Sequence, residues 1–315
     1  MLPYYKKEAN KGVYKMTINN TEVNSEILIL ARKKIRKEKR KAFFGTIGKN
    51  KAAVVGGVII LLYISLTFLA PVLAPYDPYE INLPDKLQSP SIHHWMGTDD
   101  KGRDILSRIL YGSRLSLGVG FSSVSFGAFF GIILGLVAGY YGKWVDTIIS
   151  RCLDVMLAFP GILLALAIIS ALGPSLINVT IAVGVFSIPL FARIVRGSTM
   201  EVKKLEYIDA IRTLGANDFI IIFRHIFPNI LSPIIVQGSL RLATAILSAA
   251  GLSFLGLGAQ PPSPEWGAML SSGRDFIFSA PYMAIFPGLM IAILVLGFNL
   301  FGDGLRDALD PRTKK

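Results

Sequence analysis

Apolar residues in this chain come in blocks rather than in alternation. Six continuous apolar runs lie near Ala52–Ala74, Leu115–Tyr140, Leu153–Leu172, Leu176–Phe191, Ile230–Leu257 and Met283–Phe301. A helix needs about 20 residues to cross a hydrocarbon core roughly 30 Å thick, so each run predicts one membrane-spanning helix. The runs lack the period-2 pattern of a barrel strand, which leaves an all-α membrane protein with six spans. The fourth run is short and contains Pro189, which predicts a kink or a tilt. Glycines at 127, 131, 135 and 139 recur every fourth residue in the second run. That spacing puts a smooth stripe on one helix face, where another helix backbone can approach closely.

The longest polar interruption after the first third of the chain is Glu201 to Asn229, EVKKLEYIDAIRTLGANDFIIIFRHIFPN. It carries Lys203, Lys204, Glu206, Asp209, Arg212, Asp218 and Arg224, charges that exclude it from lipid. Leu205, Ile208 and Ile211 or Arg212 fall at helical spacing and predict a short amphipathic helix. Gly215 ends it, as a glycine just past a helix does. A second helical piece is predicted over Asn217–Phe227, stopped by Pro228 and Pro233. Two short helices between two spans form an elbow able to take a push from a soluble partner and pass it to its neighbours.

Composition supports the membrane reading: 52% of the 315 residues are hydrophobic and 17% are charged, with mean hydropathy +0.52, against about 25% charged in a soluble domain. The formal net charge of +12 would suit nucleic acid, but its distribution argues against that partner. With the N-terminus inside, the inner segments (1–51, 141–152, 193–229 and 303–315) hold 26 Lys and Arg, and the outer ones (75–114 and 258–282) hold six. The asymmetry predicts both termini in the cytoplasm. Arg32 to Lys41, RKKIRKEKRK, then reads as an anchor against anionic lipid. No small-residue cleavage site follows a short apolar core, so a signal peptide is not expected. The first 30 residues are low in apolar content, and poor order is expected there. The single cysteine, Cys152, excludes an intramolecular disulfide.

The outer segment Tyr76–Asp104 is rich in proline and ends MGTDDKGRD, which predicts a loop closed by turns at Gly97 and Gly102. His93 and His94 are adjacent, poor spacing for two ligands of one ion, so no metal site is expected. No ATP site is encoded either: FFGTIGKN (Phe43 to Asn50) has Gly48-Lys49 but lacks the first glycine and the hydroxyl of a phosphate loop. Nor is there a His-Glu-x-x-His helix or a Gly-x-Ser-x-Gly elbow.

Several blocks of sequence carry a resemblance. Asp209-Ala210-Ile211, three residues, Gly215, nine residues and His225-Ile226-Phe227-Pro228 resemble the cytoplasmic coupling loop of bacterial ABC importer permeases, which reads Glu-Ala-Ala, three residues, Gly, nine residues, Ile-x-Leu-Pro. Asp replaces the Glu, Ile the second Ala, His225 the Ile and Phe227 the Leu. The ending Arg224, His225, Pro228, Asn229 resembles the peptide and nickel branch. So do Gly97-Thr98-Asp99, Gly102-Arg103-Asp104, Ser107-Arg108, the stretch Asp146 to Pro160 with Arg151, Asp154 and Ala158-Phe159-Pro160, Ala192-Arg193, Val195-Arg196-Gly197, LSFLGLG (Leu252–Gly258), QPPSPEWG (Gln260–Gly267) and FNLFGDGLRDALDPR (Phe298–Arg312). One departure is Ala249, where many relatives carry Glu. From about residue 40 onward the chain resembles the C-type permease subunit of a dipeptide, oligopeptide or nickel ABC importer.

That resemblance implies a type I importer permease fold. It implies a basic N-terminal segment (1–51), a first helix and external loop (52–114), a permease core (115–302) with its coupling loop (198–229), and a tail (303–315). The implied partners are a homologous B-type permease, two ABC ATPase subunits that bind the ATP and Mg, and an external substrate-binding protein. Membrane lipid surrounds the chain, no cofactor belongs to it, and it is not itself an enzyme. The implied ATPase-coupling residues are Glu206, Tyr207, Asp209, Ala210, Arg212, Gly215, Ala216, His225 and Pro228. The implied cargo is a di- or oligopeptide; nickel chelates and oligosaccharides are the alternatives within the branch. An ion-driven secondary transporter would show inverted repeats and ionisable residues within spans, and an intramembrane enzyme a Ser/His or paired-carboxylate constellation; neither pattern is found. Only Arg241 lies deep in a span, about 11 residues or roughly 17 Å in. With Gln237 and Thr244 on nearly the same helix face, it forms a polar stripe, either along a translocation path or at a structural ion pair with the partner permease.

Overall fold

The computed structural model describes residues 47–309 together with Gly45. The chain divides into two units, Met1–Lys49 and Asn50–Lys315, and every helix below belongs to the second. The basic run at 32–41, the poorly apolar first 30 residues and the last six residues of the tail lie outside the described residues. Helices α1 (Lys51–Leu73), α2 (Ile105–Tyr141), α5 (Leu176–Lys203), α8 (Leu231–Phe254) and α10 (Tyr282–Leu309) are each long and apolar enough to cross a membrane. α3 (Lys143–Ala158) and α4 (Gly161–Leu172) make a sixth span only if taken together, because they meet at 90°.

That bend revises the single rod expected over Leu153–Leu172. Phe159 is extended (φ −88°, ψ 134°) ahead of Pro160, as a residue before proline tends to be. Pro160 caps α4 from outside, its carbonyl accepting from Leu163 and Leu164 N–H. The apolar run continues through the break, so hydropathy alone does not show it.

The second span also differs, starting at Ile105 rather than Leu115. Asp104 caps it, accepting from Ser107 N–H and Oγ, both at 2.8 Å, and from His94 Nδ1 at 2.9 Å. The loop before it turns at Gly97 (φ +78°) and Gly102 (φ +74°), and a Cβ on Gly102 would sit 1.7 Å from Asn82 O. His94 therefore fastens the loop to the start of α2.

α2 and α5 form the centre of the bundle. Cβ atoms on Gly127, Gly131, Gly135 and Gly139 would lie 2.8, 2.8, 2.6 and 2.8 Å from the carbonyl oxygens of Gly184, Ile188, Ala192 and Arg196. Both helices advance four residues per contact, so the stripe predicted for α2 abuts the α5 backbone along its whole length. α5 runs on through Pro189 to Lys203, well past the predicted end. On the other side α1 lies against α10, where a Cβ on Gly56 would meet Gly297 O at 2.6 Å. Most of α1 otherwise faces outward, as a helix apolar all round does in lipid.

A helix absent from the sequence reading, α9 (Trp266–Arg274), sits in the loop before α10. Glu265 caps it, accepting from Gly267 N–H at 3.0 Å and Ala268 N–H at 2.9 Å. Burial pushes this carboxyl above the usual range, and those two N–H groups offset part of the shift. Trp266 is fully buried and donates Nε1–H to Ile109 O at 3.0 Å. The QPPSPEWG block thus folds back onto the first turns of α2, where Arg108 also donates to Pro262 O and Ser263 O.

Candidate functional site

The polar stretch after α5 forms the expected elbow. α6 (Glu206–Thr213) has Glu206 and Asp209 in its first turn and Arg212 in its last, the arrangement that complements a helix dipole. Leu214 and Gly215 close it. Gly215, at φ +85°, donates to Arg212 O at 3.0 Å, and Ala216 N–H donates to Ile211 O at 3.3 Å. This pair of bonds is the Schellman ending, which requires the left-handed conformation that glycine adopts freely.

Asn217 then accepts from Ile220 N–H at 2.9 Å and starts α7 (Asp218–Ile220). Its continuation widens into a π-helix over Ile221–Ile226 and tightens into a 3₁₀ turn over Phe227–Asn229. Pro228 has no N–H to offer the Arg224 carbonyl, and Phe227 N–H bonds to Ile222 O instead. The predicted piece over Asn217–Phe227 is therefore present with a changed helical pitch, a feature often found at functional sites.

The elbow has two faces. Ile208, Ile221, Ile222, Ile226 and Ile230 are buried together with Leu136 and Tyr140 of α2 and Val195 of α5. On the other face large apolar groups meet solvent: Leu214 is 86% exposed, Phe219 68% and Phe223 52%. The rings of Phe219, Phe223 and Phe227 follow one another at 4.5 and 6.5 Å. A patch of this kind beside charged groups is the usual mark of a protein interface.

Most residues singled out in the elbow meet solvent. Glu206, Tyr207, Asp209, Ala210, Arg212, Gly215 and Pro228 are exposed, and Ala216 and His225 are half-buried. Asp209 pairs with Arg212 at 3.1 Å; at that exposure the pair is worth at most about 1 kcal/mol. Tyr207 ties the two pieces of the elbow together, its hydroxyl accepting from Asn229 Nδ2 at 3.0 Å, and Asn229 also donates to His225 O at 2.6 Å.

Of the second constellation, the structure joins two members. Arg241 donates from Nη1 to Thr244 Oγ1 at 3.5 Å, and its guanidinium lies 6.0 Å from the Phe186 ring on α5. Among the described residues no carboxylate lies within ion-pairing distance of it. Gln237 instead lines an open cleft of about 470 Å³ with Ile194, Leu240 and Arg306 near the elbow.

Sequence reasoning assigns no tertiary contact to Asp146, Tyr140 or Asp218. Arg196 of α5 grips Asp146 of α3 with two bonds, one of them Nη2 to Oδ2 at 2.6 Å. Two oppositely charged residues 50 positions apart leave no local signal. Tyr140 closes an apolar run and carries no mark of its own.

An all-helical apolar bundle with a polar elbow at one end has the build of a membrane transport subunit. Residues 131–315 match the family described as the inner membrane component of binding-protein-dependent transport systems, and residues 43–90 match the N-terminal TM domain of oligopeptide transport permease C. The chain belongs to that inner membrane component family, within its C-type peptide/nickel branch. It is 54% identical over 271 residues to the dipeptide transport system permease protein DppC of Alkalihalophilus pseudofirmus, covering 86% of this chain and 89% of that one. It is 53% identical over 267 residues to the glutathione transport system permease protein GsiD of Pectobacterium atrosepticum, covering 84% and 89%. In fold it is similar to the MetNI methionine ABC transporter in inward-facing conformations, with TM-score 0.53 and 20% identity over 65% of this chain and 98% of that one.

Proposed function

We propose that this chain is the permease subunit of an ATP-driven importer of short peptides. It forms half of the translocation path and is driven through the elbow Glu201–Asn229. The observation that carries the reading is the elbow's uncovered apolar face, fixed at the end of the bundle by a buried isoleucine layer. A surface held so firmly and left so apolar calls for a partner, and in this family an ABC ATPase fits the need. The other partners are a homologous B-type permease and an external binding protein. ATP and Mg belong to the ATPases, so this chain performs no hydrolysis.

The cargo follows from the relatives. Near-equal identity to a dipeptide and a glutathione permease supports short peptides as a class and favours neither one. The test is a thermal-shift screen of the cognate binding protein with dipeptides, longer peptides, glutathione and nickel chelates, followed by uptake of the hits by the reconstituted importer. A shift with nickel chelates alone would replace peptides by nickel chelates as the cargo within the same branch.

Orientation is the second proposal: the elbow end and both termini face the cytoplasm, on the 26-to-six division of Lys and Arg. In a background with the exposed Cys152 removed, a cysteine at Ser91 is expected to react with an impermeant thiol reagent on whole cells. One at Lys204 is expected to react only in inverted vesicles. Both positions are exposed. Labelling of position 204 from outside would reverse the scheme.

Arg241 is assigned to the path. A charge about 11 residues into a span costs a few kcal/mol in lipid, and a guanidinium facing water there can meet a peptide carboxylate. Arg241→Gln is expected to leave the complex assembled and to lower peptide uptake. Failure to co-purify with the partner permease would make it a structural ion pair instead.

A further inference from the structure

One side chain gathers the whole elbow. Tyr140 lies one residue from the end of α2 and is 4% exposed. Its hydroxyl donates to Asp218 Oδ1, at the first position of α7, at 2.5 Å. Its carbonyl oxygen accepts from Lys203 Nζ, at the last position of α5, and that ammonium also lies 5.3 Å from the centre of the tyrosine ring. The Arg212 guanidinium, in the last turn of α6, lies 6.0 Å from the same ring. Three successive pieces of chain, the exit of α5, the end of α6 and the start of α7, thus converge on one residue of a fourth, α2.

The position is mechanically distinctive. Gly139, the preceding residue, abuts Arg196 O and Thr199 of α5, the last rung of the glycine stripe. Tyr140 is where the closely joined α2–α5 pair ends and the elbow begins. Away from Tyr140, the elbow's isoleucines pack on Leu136 and Val195 of the bundle, and apolar contacts of this kind can slide. The Tyr140–Asp218 bond is directional and connects α2 to a part of the chain 78 residues away.

We propose that Tyr140 is the latch through which displacement of the elbow is transmitted to α2 and α5, with its hydroxyl bond to Asp218 as the operative contact. Tyr140 is a positioning residue: it touches neither cargo nor nucleotide and acts by making the elbow and the helix pair move together. The proposal rests on the reading of the elbow as the ATPase-driven element.

The test uses the complete importer, with partner permease, ATPases and binding protein, in proteoliposomes. The readout is peptide moved per ATP hydrolysed. Tyr140→Phe keeps the ring beside the two cations and removes the hydroxyl, with its bond to Asp218 and its contact with Arg212. It is expected to lower that ratio at least about fivefold, the lower end of ordinary coupling free energies, with complex yield and unfolding temperature unchanged. Asp218→Ala is expected to match it. Asp218→Asn, which keeps an acceptor for the hydroxyl, is expected to restore the ratio, and the double variant Tyr140→Phe with Asp218→Ala is expected to be no worse than either single change. A wild-type ratio in Tyr140→Phe with the ATPase still bound overturns the latch alone. So does a loss that follows complex yield, or one that is additive in the double variant. Absence of ATP-dependent uptake in the unaltered complex overturns the proposed function and the latch together.

Discussion

Gly135→Leu is expected to prevent accumulation of a folded subunit, or to lower its unfolding temperature in detergent more than any substitution in the elbow. The position allows no relief. A Cβ there would lie 2.6 Å from Ala192 O and 2.6 Å from Val195 Cβ, so the obstruction is partly backbone and cannot rotate away. The helices would have to separate, and separation at one rung disturbs the rungs at Gly131 and Gly139. Overpacking usually costs about 1–3 kcal/mol where side chains can adjust; against a carbonyl on a neighbouring helix the cost is expected at or above the top of that range. Between helices in lipid, close packing is itself a main source of affinity. Gly118→Leu provides the control, on the same helix, with nothing within 4 Å of its added Cβ. It is expected to be near neutral by the same thermal assay. Equal melting of the two variants would show that the stripe does not hold α2 to α5.

The second large effect is expected in transport rather than stability. Gly215→Val places a β-branched residue at φ +85°, in the left-handed region that such residues resist. Nothing lies within 4 Å of the new Cβ, so the penalty is backbone strain of about 1–2 kcal/mol, borne by the Schellman ending alone. The bundle should fold, while the end of α6 and the exposed Leu214 beside it lose their fixed placement. Asp209→Lys approaches the same surface by charge. It breaks the exposed pair with Arg212 and puts a cation in the first turn of α6, each worth at most about 1 kcal/mol. Both variants are expected to insert and assemble yet lower ATP-driven uptake at least about tenfold, equivalent to roughly 1.4 kcal/mol of lost coupling. Gly215→Asn, a residue that tolerates the left-handed region, is expected to retain most activity. Wild-type uptake by Gly215→Val and Asp209→Lys in the assembled importer would reduce both positions to helix-end stabilisers.

What could be read from the sequence is what depends on local spacing. Continuous apolar runs are visible because length and composition decide whether a helix crosses a bilayer. The four glycines on α2 declared a close approach because a period of four falls on one face, although nothing in them named α5 as the partner. Gly215 could be read as a helix end because one residue type serves that conformation best. The elements that escaped are tertiary. The turn at Pro160 lies inside a run whose hydropathy does not change, so hydropathy predicts one span where two helices meet at a right angle. The α9 helix is nine residues in a segment dominated by glycine, proline and serine. Tyr140 and Asp218 acquire meaning only when α2 is placed beside the elbow.

The right angle at Pro160 also sets the subunit's relation to the bilayer. α4 has 12 residues, about 18 Å at 1.5 Å per residue, against a hydrocarbon core of roughly 30 Å. A full-length span relieves a thickness mismatch by tilting. α4 is too short to do so, and with α3 held to α5 through Arg196 and Asp146 it has little freedom to follow the lipid. Thinning of the membrane, or cover from a neighbouring protein, must make up the difference beside it. This flank of the subunit is therefore expected to be the one most sensitive to the thickness of the host membrane.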